Sequence, residues 1–202
     1  MRELEPIPAG TDFYTVLGVP KRLDLDARAL EESFYALSRR YHPDRFATAE
    51  PKARITSLEA SAQINRAYKT LKSPWDRARY LVEMEGGSPA AAQPPQDLFE
   101  EILDLMESLG DLRQAIIEGE ASEELGAHVH SIAKPFRDAY AATETRLQTL
   151  SQEWDGLADG DTAGRRAVVD RLAALLGERR YLQRVNEDVD AAFLGKPPSR
   201  EH

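Results

Sequence analysis

Tyr41-His42-Pro43-Asp44-Arg45 is the stretch on which the fold turns. Proline disfavours the helical conformation in the residue before it. A helix arriving at Tyr41 therefore leaves its path at His42, and Pro43 fixes the bend. The residues upstream fit such a helix. Leu30, Phe34, Leu37 and Tyr41 follow at steps of four, three and four, which is one helical face, and Asp24 or Asp26 can cap its start. After the bend the spacing predicts a second helix from about residue 51 to 71. Ile55, Leu58, Ala62, Ile64, Tyr68 and Leu71 are expected on its buried side. Ser73-Pro74-Trp75-Asp76 reads as a fresh start, with serine as N-cap, proline at the first helical position and Asp76 closing a capping box. With a short helical start at Phe13-Tyr14, residues 1–85 read as an antiparallel helical hairpin with short flanking helices.

The bend itself is a rigid polar hook. His42 and Asp44 flank the proline, Arg39 and Arg40 lie within a turn before it, and Arg45 follows. Such a hook suits docking to an acidic protein surface. Catalysis would need a second titratable partner in a pocket, and no nucleophile–base pair can be assembled from these residues. The plainer alternative is an ordinary loop whose Asp44 caps the next helix, and spacing alone leaves both open.

Downstream, Gly86-Gly87-Ser88-Pro89-Ala90-Ala91-Ala92-Gln93-Pro94-Pro95 breaks both helix and strand periodicity. We read 86–95 as a linker short enough to let the flanking domains pack. Residues 96–195 then carry three helical patterns. The first holds Leu98, Ile102, Leu105, Leu109, Leu112 and Ile116. The second runs through Leu125, Val129, Ile132 and Phe136 to Thr143, Leu147, Leu150 and Trp154, with Pro135 expected to kink or split it. The third starts after Asp161-Thr162 and carries Val168, Leu172, Leu175, Leu182, Val189 and Phe193. They pack most simply as an antiparallel three-helix bundle, followed by a frayed tail at 196–202. No strand pattern is convincing, so the fold class is all-α.

Charge divides the chain the same way. Residues 39–79 hold ten basic and four acidic residues, a balance of +6, whereas 97–124 hold ten acids and one base, Arg113, a balance of −9. An abrupt change of sign points to two domains with different partners. The whole chain, with 26 basic and 35 acidic residues, carries −9, which argues against nucleic-acid binding through the basic stretch. The absence of cysteine excludes disulfides, thiolate metal sites and cysteine nucleophiles. No apolar run approaches the roughly 18 residues that would span a bilayer, and no secretory signal is evident at Met1-Arg2-Glu3. A cytoplasmic protein without a membrane partner is expected. His128 and His130 are two apart and face different sides of a helix. The acidic run beginning at Asp155 lacks the spacing of a calcium loop, and no phosphate-cradling glycine loop occurs. Neither metal nor cofactor is expected.

The first bundle helix carries more than a core stripe. Phe99, Leu103 and Met106 form a second apolar row, and Glu100, Asp104, Glu107 and Asp111 a third, acidic one. At about 100° per residue these are three faces. The second row either widens the core contact or stays exposed beside the acids as a partner site.

Taken together, Asp12-Phe13-Tyr14-Thr15-Val16-Leu17-Gly18-Val19, the Tyr41–Arg45 bend and Asn65-Arg66-Ala67-Tyr68-Lys69-Thr70-Leu71 resemble a J domain, the activator of DnaK-type heat-shock chaperone ATPases. Tyr41 to Ala47, Ser61 to Tyr68 and Arg77-Ala78-Arg79-Tyr80-Leu81, with the linker and bundle, are similar to the HscB/Jac-type co-chaperones of iron–sulfur cluster assembly. The resemblance implies an N-terminal J domain that docks on a DnaK/HscA-type chaperone through His42, Pro43, Asp44, Arg39, Arg40 and Arg45. It implies a non-enzymatic role. It also implies a C-terminal bundle that binds an IscU-type scaffold protein through Phe99, Leu103, Asp104, Glu107 and Tyr181. Glu100 departs from the family pattern, where an apolar residue stands. A J-domain protein serving a different client is the alternative.

Overall fold

The computed structural model describes residues 4–158 and 160–197. Among these are seven α-helices and no strand. Helix α1 (Phe13–Leu17) is capped by Asp12, whose carboxylate accepts from the Thr15 amide at 3.0 Å and the Thr15 hydroxyl at 2.6 Å. Burial opposes ionisation of Asp12, but the hydrogen bonds from Thr15 outweigh it and hold this carboxyl below its ordinary range. The helix ends on Gly18, whose φ of 64° is the left-handed conformation that glycine adopts without strain.

Helix α2 (Ala27–Tyr41) starts at the Asp26 cap, which accepts from the Arg28 and Ala29 amides. It ends at His42, whose ψ of 126° is extended, as the following proline requires. A 3-10 turn (Pro43–Phe46) leads to α3 (Pro51–Lys72). Helices α1, α2 and α3 close over one core of Tyr14, Leu17, Leu30, Tyr41, Ile64 and Leu71, with Phe34 stacked on Tyr68. The buried side of α3 differs from expectation. Ile64 and Leu71 are buried, but Ile55 and Leu58 are 56% and 57% exposed and Ala62 is exposed as well. Ser57, Ala60, Ala67 and Thr56 face inward instead. Ser57 meets the end of α2 through its bond to the Tyr41 carbonyl, and the bulky pair is turned outward.

Helix α4 (Pro74–Met84) begins at Ser73, whose hydroxyl accepts from the Asp76 amide. It belongs to two cores at once. Tyr80 stacks on Phe13, with ring centroids 4.4 Å apart, on the hairpin side. Ala78, Leu81 and Val82 join Leu147, Leu150, Trp154, Val168, Leu172 and Leu175 on the bundle side. The two halves are therefore built across a shared apolar layer. The linker lies on the bundle. The Ala90 amide donates to the Ala173 carbonyl at 3.0 Å, and a Cβ on Gly177 would stand 2.6 Å from the Ala91 carbonyl oxygen. Only glycine admits the linker backbone this close.

The bundle consists of α5 (Glu101–Glu118), α6 (Glu123–Gly156) and α7 (Thr162–Phe193) around Leu105, Leu109, Leu112, Val129, Phe136, Leu182, Val185 and Val189. Pro135 does not split α6, which runs unbroken for 34 residues. The flanking residues Ala133 and Phe136 are fully buried, so packing on both sides of the proline holds the path. Regular helix α5 starts at Glu101, later than the apolar spacing from Leu98 predicts. Residues 96–98 form a 3-10 turn, and Phe99 and Glu100 keep helical backbone angles between the two. At the C-terminal end, Lys196 donates its amide to the Ala191 carbonyl and accepts from the Arg113 guanidinium. The rest of the expected frayed tail, apart from Pro197, lies outside the described residues. No helix among the described residues is long and apolar enough to cross a membrane.

Candidate functional site

The bend at residues 42–44 projects into solvent. The His42 and Asp44 side chains are 54% and 91% exposed. The His42 ring caps the 3-10 turn, its Nδ1 accepting from the Asp44 amide at 3.3 Å, while its carbonyl accepts from the Arg45 amide at 3.0 Å. Asp44 does not cap α3, whose first turn has no side-chain cap. Its carboxylate lies 3.6 Å from His42 Nδ1 and otherwise faces water. The plain loop-and-cap alternative therefore leaves the Asp44 carboxylate without a structural task.

A buried, a half-buried and an exposed hydrogen bond hold the bend. The Ser57 hydroxyl donates to the Tyr41 carbonyl at 2.8 Å, fastening α3 to the last residue of α2. The Tyr41 hydroxyl donates to the Glu5 carbonyl at 3.0 Å. The Arg45 guanidinium reaches back to the Arg39 carbonyl at 3.0 Å, which satisfies part of the end of α2. Arg39 and Arg40 are exposed, and the Arg40 guanidinium lies 5.3 Å from the Tyr41 ring centroid. The structure thus brings Arg39, Arg40, His42, Pro43, Asp44 and Arg45 together on one protruding end. One member of the basic stretch is not on the surface. Arg77 is buried, donates to the Leu71 carbonyl at 2.6 Å, and has its ionisation pushed down by that burial.

The second site lies on α5 and the turn before it. Phe99, Leu103 and Met106 are 66%, 73% and 46% exposed, so this row does not widen the core. Asp104 and Glu107 are exposed beside it. An open cavity of about 770 Å³ borders Phe99, lined by Gln93, Pro94, Gln96, Asp97, Glu100 and Glu101. Tyr181 stands apart from this row on α7, half-buried against the bundle core, and burial raises its hydroxyl's pKa. Among the described residues, no group of three or more histidine or acidic side chains is placed to hold a metal ion. His130 stacks on Phe193, with ring centroids 4.3 Å apart.

Two clusters between the halves escape sequence reasoning. The Asp155 carboxylate, 6% exposed, accepts from the Leu23 and Asp24 amides, each at 2.8 Å. The Arg179 guanidinium lies between Trp75 of α4 and Tyr140 of α6, 3.9 and 4.4 Å from their ring centroids. It donates to Thr143 and pairs with Glu144, which also accepts from the Trp75 indole. Together they fix how the bend and the α5 row are presented by one body.

The architecture has known counterparts. Residues 12–80 match the DnaJ domain family. The co-chaperone protein HscB of Proteus mirabilis (strain HI4320) is 33% identical over 152 residues, which span 73% of this chain and 84% of that one. The chain belongs to the HscB co-chaperone family. Solved HscB structures share the fold. The human co-chaperone protein HscB superposes with a TM-score of 0.61 at 19% identity, covering 94% of this chain and 85% of that one. Chaperone HscB from Vibrio cholerae superposes with a TM-score of 0.51 at 26% identity, covering 89% and 99%. In this HscB-family chain the J domain supplies the bend, and the bundle supplies the exposed apolar row.

Proposed function

We propose that the chain is a binding-only co-chaperone. Its J domain stimulates the ATPase of a DnaK/HscA-type chaperone, and its bundle delivers an IscU-type iron–sulfur scaffold. The observation that carries this reading is the exposed His42-Pro43-Asp44 bend, held rigid by Ser57, Tyr41 and Arg45. A preorganised polar hook loses little conformational freedom on docking. Arg39, Arg40 and Arg45 steer it towards an acidic chaperone surface, which raises the association rate and weakens with salt. The scaffold occupies the Phe99–Leu103 row, with Asp104 and Glu107 setting its orientation and Tyr181 at the margin. Both partners held on one body meet at high effective concentration. The chain itself hydrolyses nothing and works in the cytoplasm.

A three-protein assay tests this reading. The chain should raise the chaperone's ATPase, and scaffold should raise it further. Phe99→Ala with Leu103→Ala should remove the scaffold-dependent part and leave the rest. Background-level scaffold binding would instead favour a different client. No stimulation by the chain alone would overturn the reading.

A further inference from the structure

Besides Tyr35 on α2, two bulky aliphatic side chains of the J domain lie outside its core. Ile55 and Leu58 are more than half exposed, three residues apart on the first turns of α3. Ala62 continues their face one turn on. Helical spacing alone assigns the pair to the interior, and small residues of the same helix take that place. We infer that Ile55 and Leu58 are the apolar anchor of the chaperone-docking surface. The inference rests on the function proposed above and deepens it.

Three observations select this occupant. First, the pair is continuous with the bend. Ser57, between the two, is fully buried and hydrogen-bonded to the Tyr41 carbonyl, so these turns of α3 move with residues 42–44 as one unit. Second, the bend lacks what a binding interface needs at its centre. His42, Asp44, Arg39, Arg40 and Arg45 can steer and orient. Affinity, however, comes from a few desolvated apolar or aromatic groups, with charges at the rim. Third, the charges around the pair match those of the bend. Arg54 stands beside Ile55 and Arg66 lies two turns beyond Leu58, both exposed; Glu59, exposed beside Leu58, is the one acid of α3 against five basic residues, on a stretch that carries +6. One partner with an apolar patch rimmed by acids satisfies both features. The client row on α5 has the opposite sign, its apolar residues lying among Glu100, Asp104 and Glu107. Charge complementarity therefore assigns the two apolar surfaces to different partners.

The two parts of the docking surface should fail differently. Loss of the anchor weakens binding, whereas loss of the bend removes the signal. The full chain carrying Ile55→Ser and Leu58→Ser is titrated into a DnaK- or HscA-type chaperone under single-turnover ATP conditions, beside the wild type. The expected result is a rise of about tenfold in the concentration giving half-maximal stimulation, as expected for losing one anchor. The stimulated rate at saturation and the slope against salt concentration should stay unchanged, because every charge remains. The melting temperature checks folding. Should the double variant melt early, Leu58→Glu alone serves, and it should repel the acidic rim by at least as much. Superimposable titrations of variant and wild type overturn the inference while leaving the proposed function standing. No stimulation by the wild type overturns that function instead. Sedimentation supplies the remaining outcome. A concentration-dependent dimer that the double variant abolishes would assign the patch to a second copy of this chain and overturn the inference.

Discussion

Replacing Asp155 with alanine should loosen the junction between the hairpin and the bundle. The carboxylate is 6% exposed and is the acceptor for two backbone amides from the other half of the chain, Leu23 and Asp24. Its loss leaves the part-buried Leu23 amide without a partner, while the exposed Asp24 amide rehydrates. An unsatisfied buried donor costs about 1–3 kcal/mol, and a hydrogen bond to a charged acceptor contributes a similar amount. Because one of the two amides recovers with water, we expect a loss of about 2 kcal/mol. For a chain of this size that corresponds to a fall of about 4–8 °C in melting temperature. Asp155→Asn should recover part of the loss, since its one carbonyl oxygen can accept from the Leu23 amide while its amide nitrogen faces the exposed Asp24 amide. The assay is a thermal melt combined with hydrogen exchange, in which the Leu23 and Asp24 amides should lose protection selectively. A melt within 1 °C of wild type, or unchanged exchange at both amides, would refute the reasoning.

Three further outcomes follow from the packing. Gly177→Ala places a Cβ 2.6 Å from the Ala91 carbonyl oxygen and should push the linker off α7. The cost is about 1–3 kcal/mol, read by chemical denaturation. Leu105→Ala, at a fully buried site, should lose about 2–5 kcal/mol, whereas Leu103→Ala, 73% exposed, should stay within about 0.5 kcal/mol of wild type. Equal losses would mean that the Phe99–Leu103 row is packed rather than presented. Asp12 has a folded pKa below its unfolded value, so its stabilisation is present above about pH 4 and is lost as pH falls through the folded value. Asp12→Ala should therefore cost about 1 kcal/mol at neutral pH, and the gap should close in acid.

What the sequence made legible was local. The break at His42 follows from one proline, the start of α4 from Ser73-Pro74, and the three bundle helices from long apolar stripes. The exposed Phe99–Leu103 row could be posed as a question, because its spacing separates it from the core row, but only the packed structure answers it. Helical period places Ile55 and Leu58 inside because it ranks residues by hydrophobicity. The J-domain core takes the small residues Ser57 and Ala60 instead, Ser57 bonded to the end of α2. Pro135 predicts a kink or a split in α6; the split does not occur, and burial of Ala133 and Phe136 on either side keeps the helix continuous. Contacts between distant residues left no local signal. Asp155 reads as the first acid of a surface turn, although it caps amides more than a hundred residues away. Arg77 counts as surface charge until its burial on the inner side of α4, against the end of α3, is seen. Arg179 looks like one arginine among several, and only tertiary packing sets it between two aromatic rings.

The most direct test of the central claim is single-turnover ATP hydrolysis by a DnaK- or HscA-type chaperone in the presence of saturating wild-type chain or His42→Gln. If the bend drives the chaperone, the wild type accelerates hydrolysis, and the variant leaves it at the basal rate with its helical content and melting temperature intact. A well-folded variant that accelerates hydrolysis as fast as the wild type would contradict that claim.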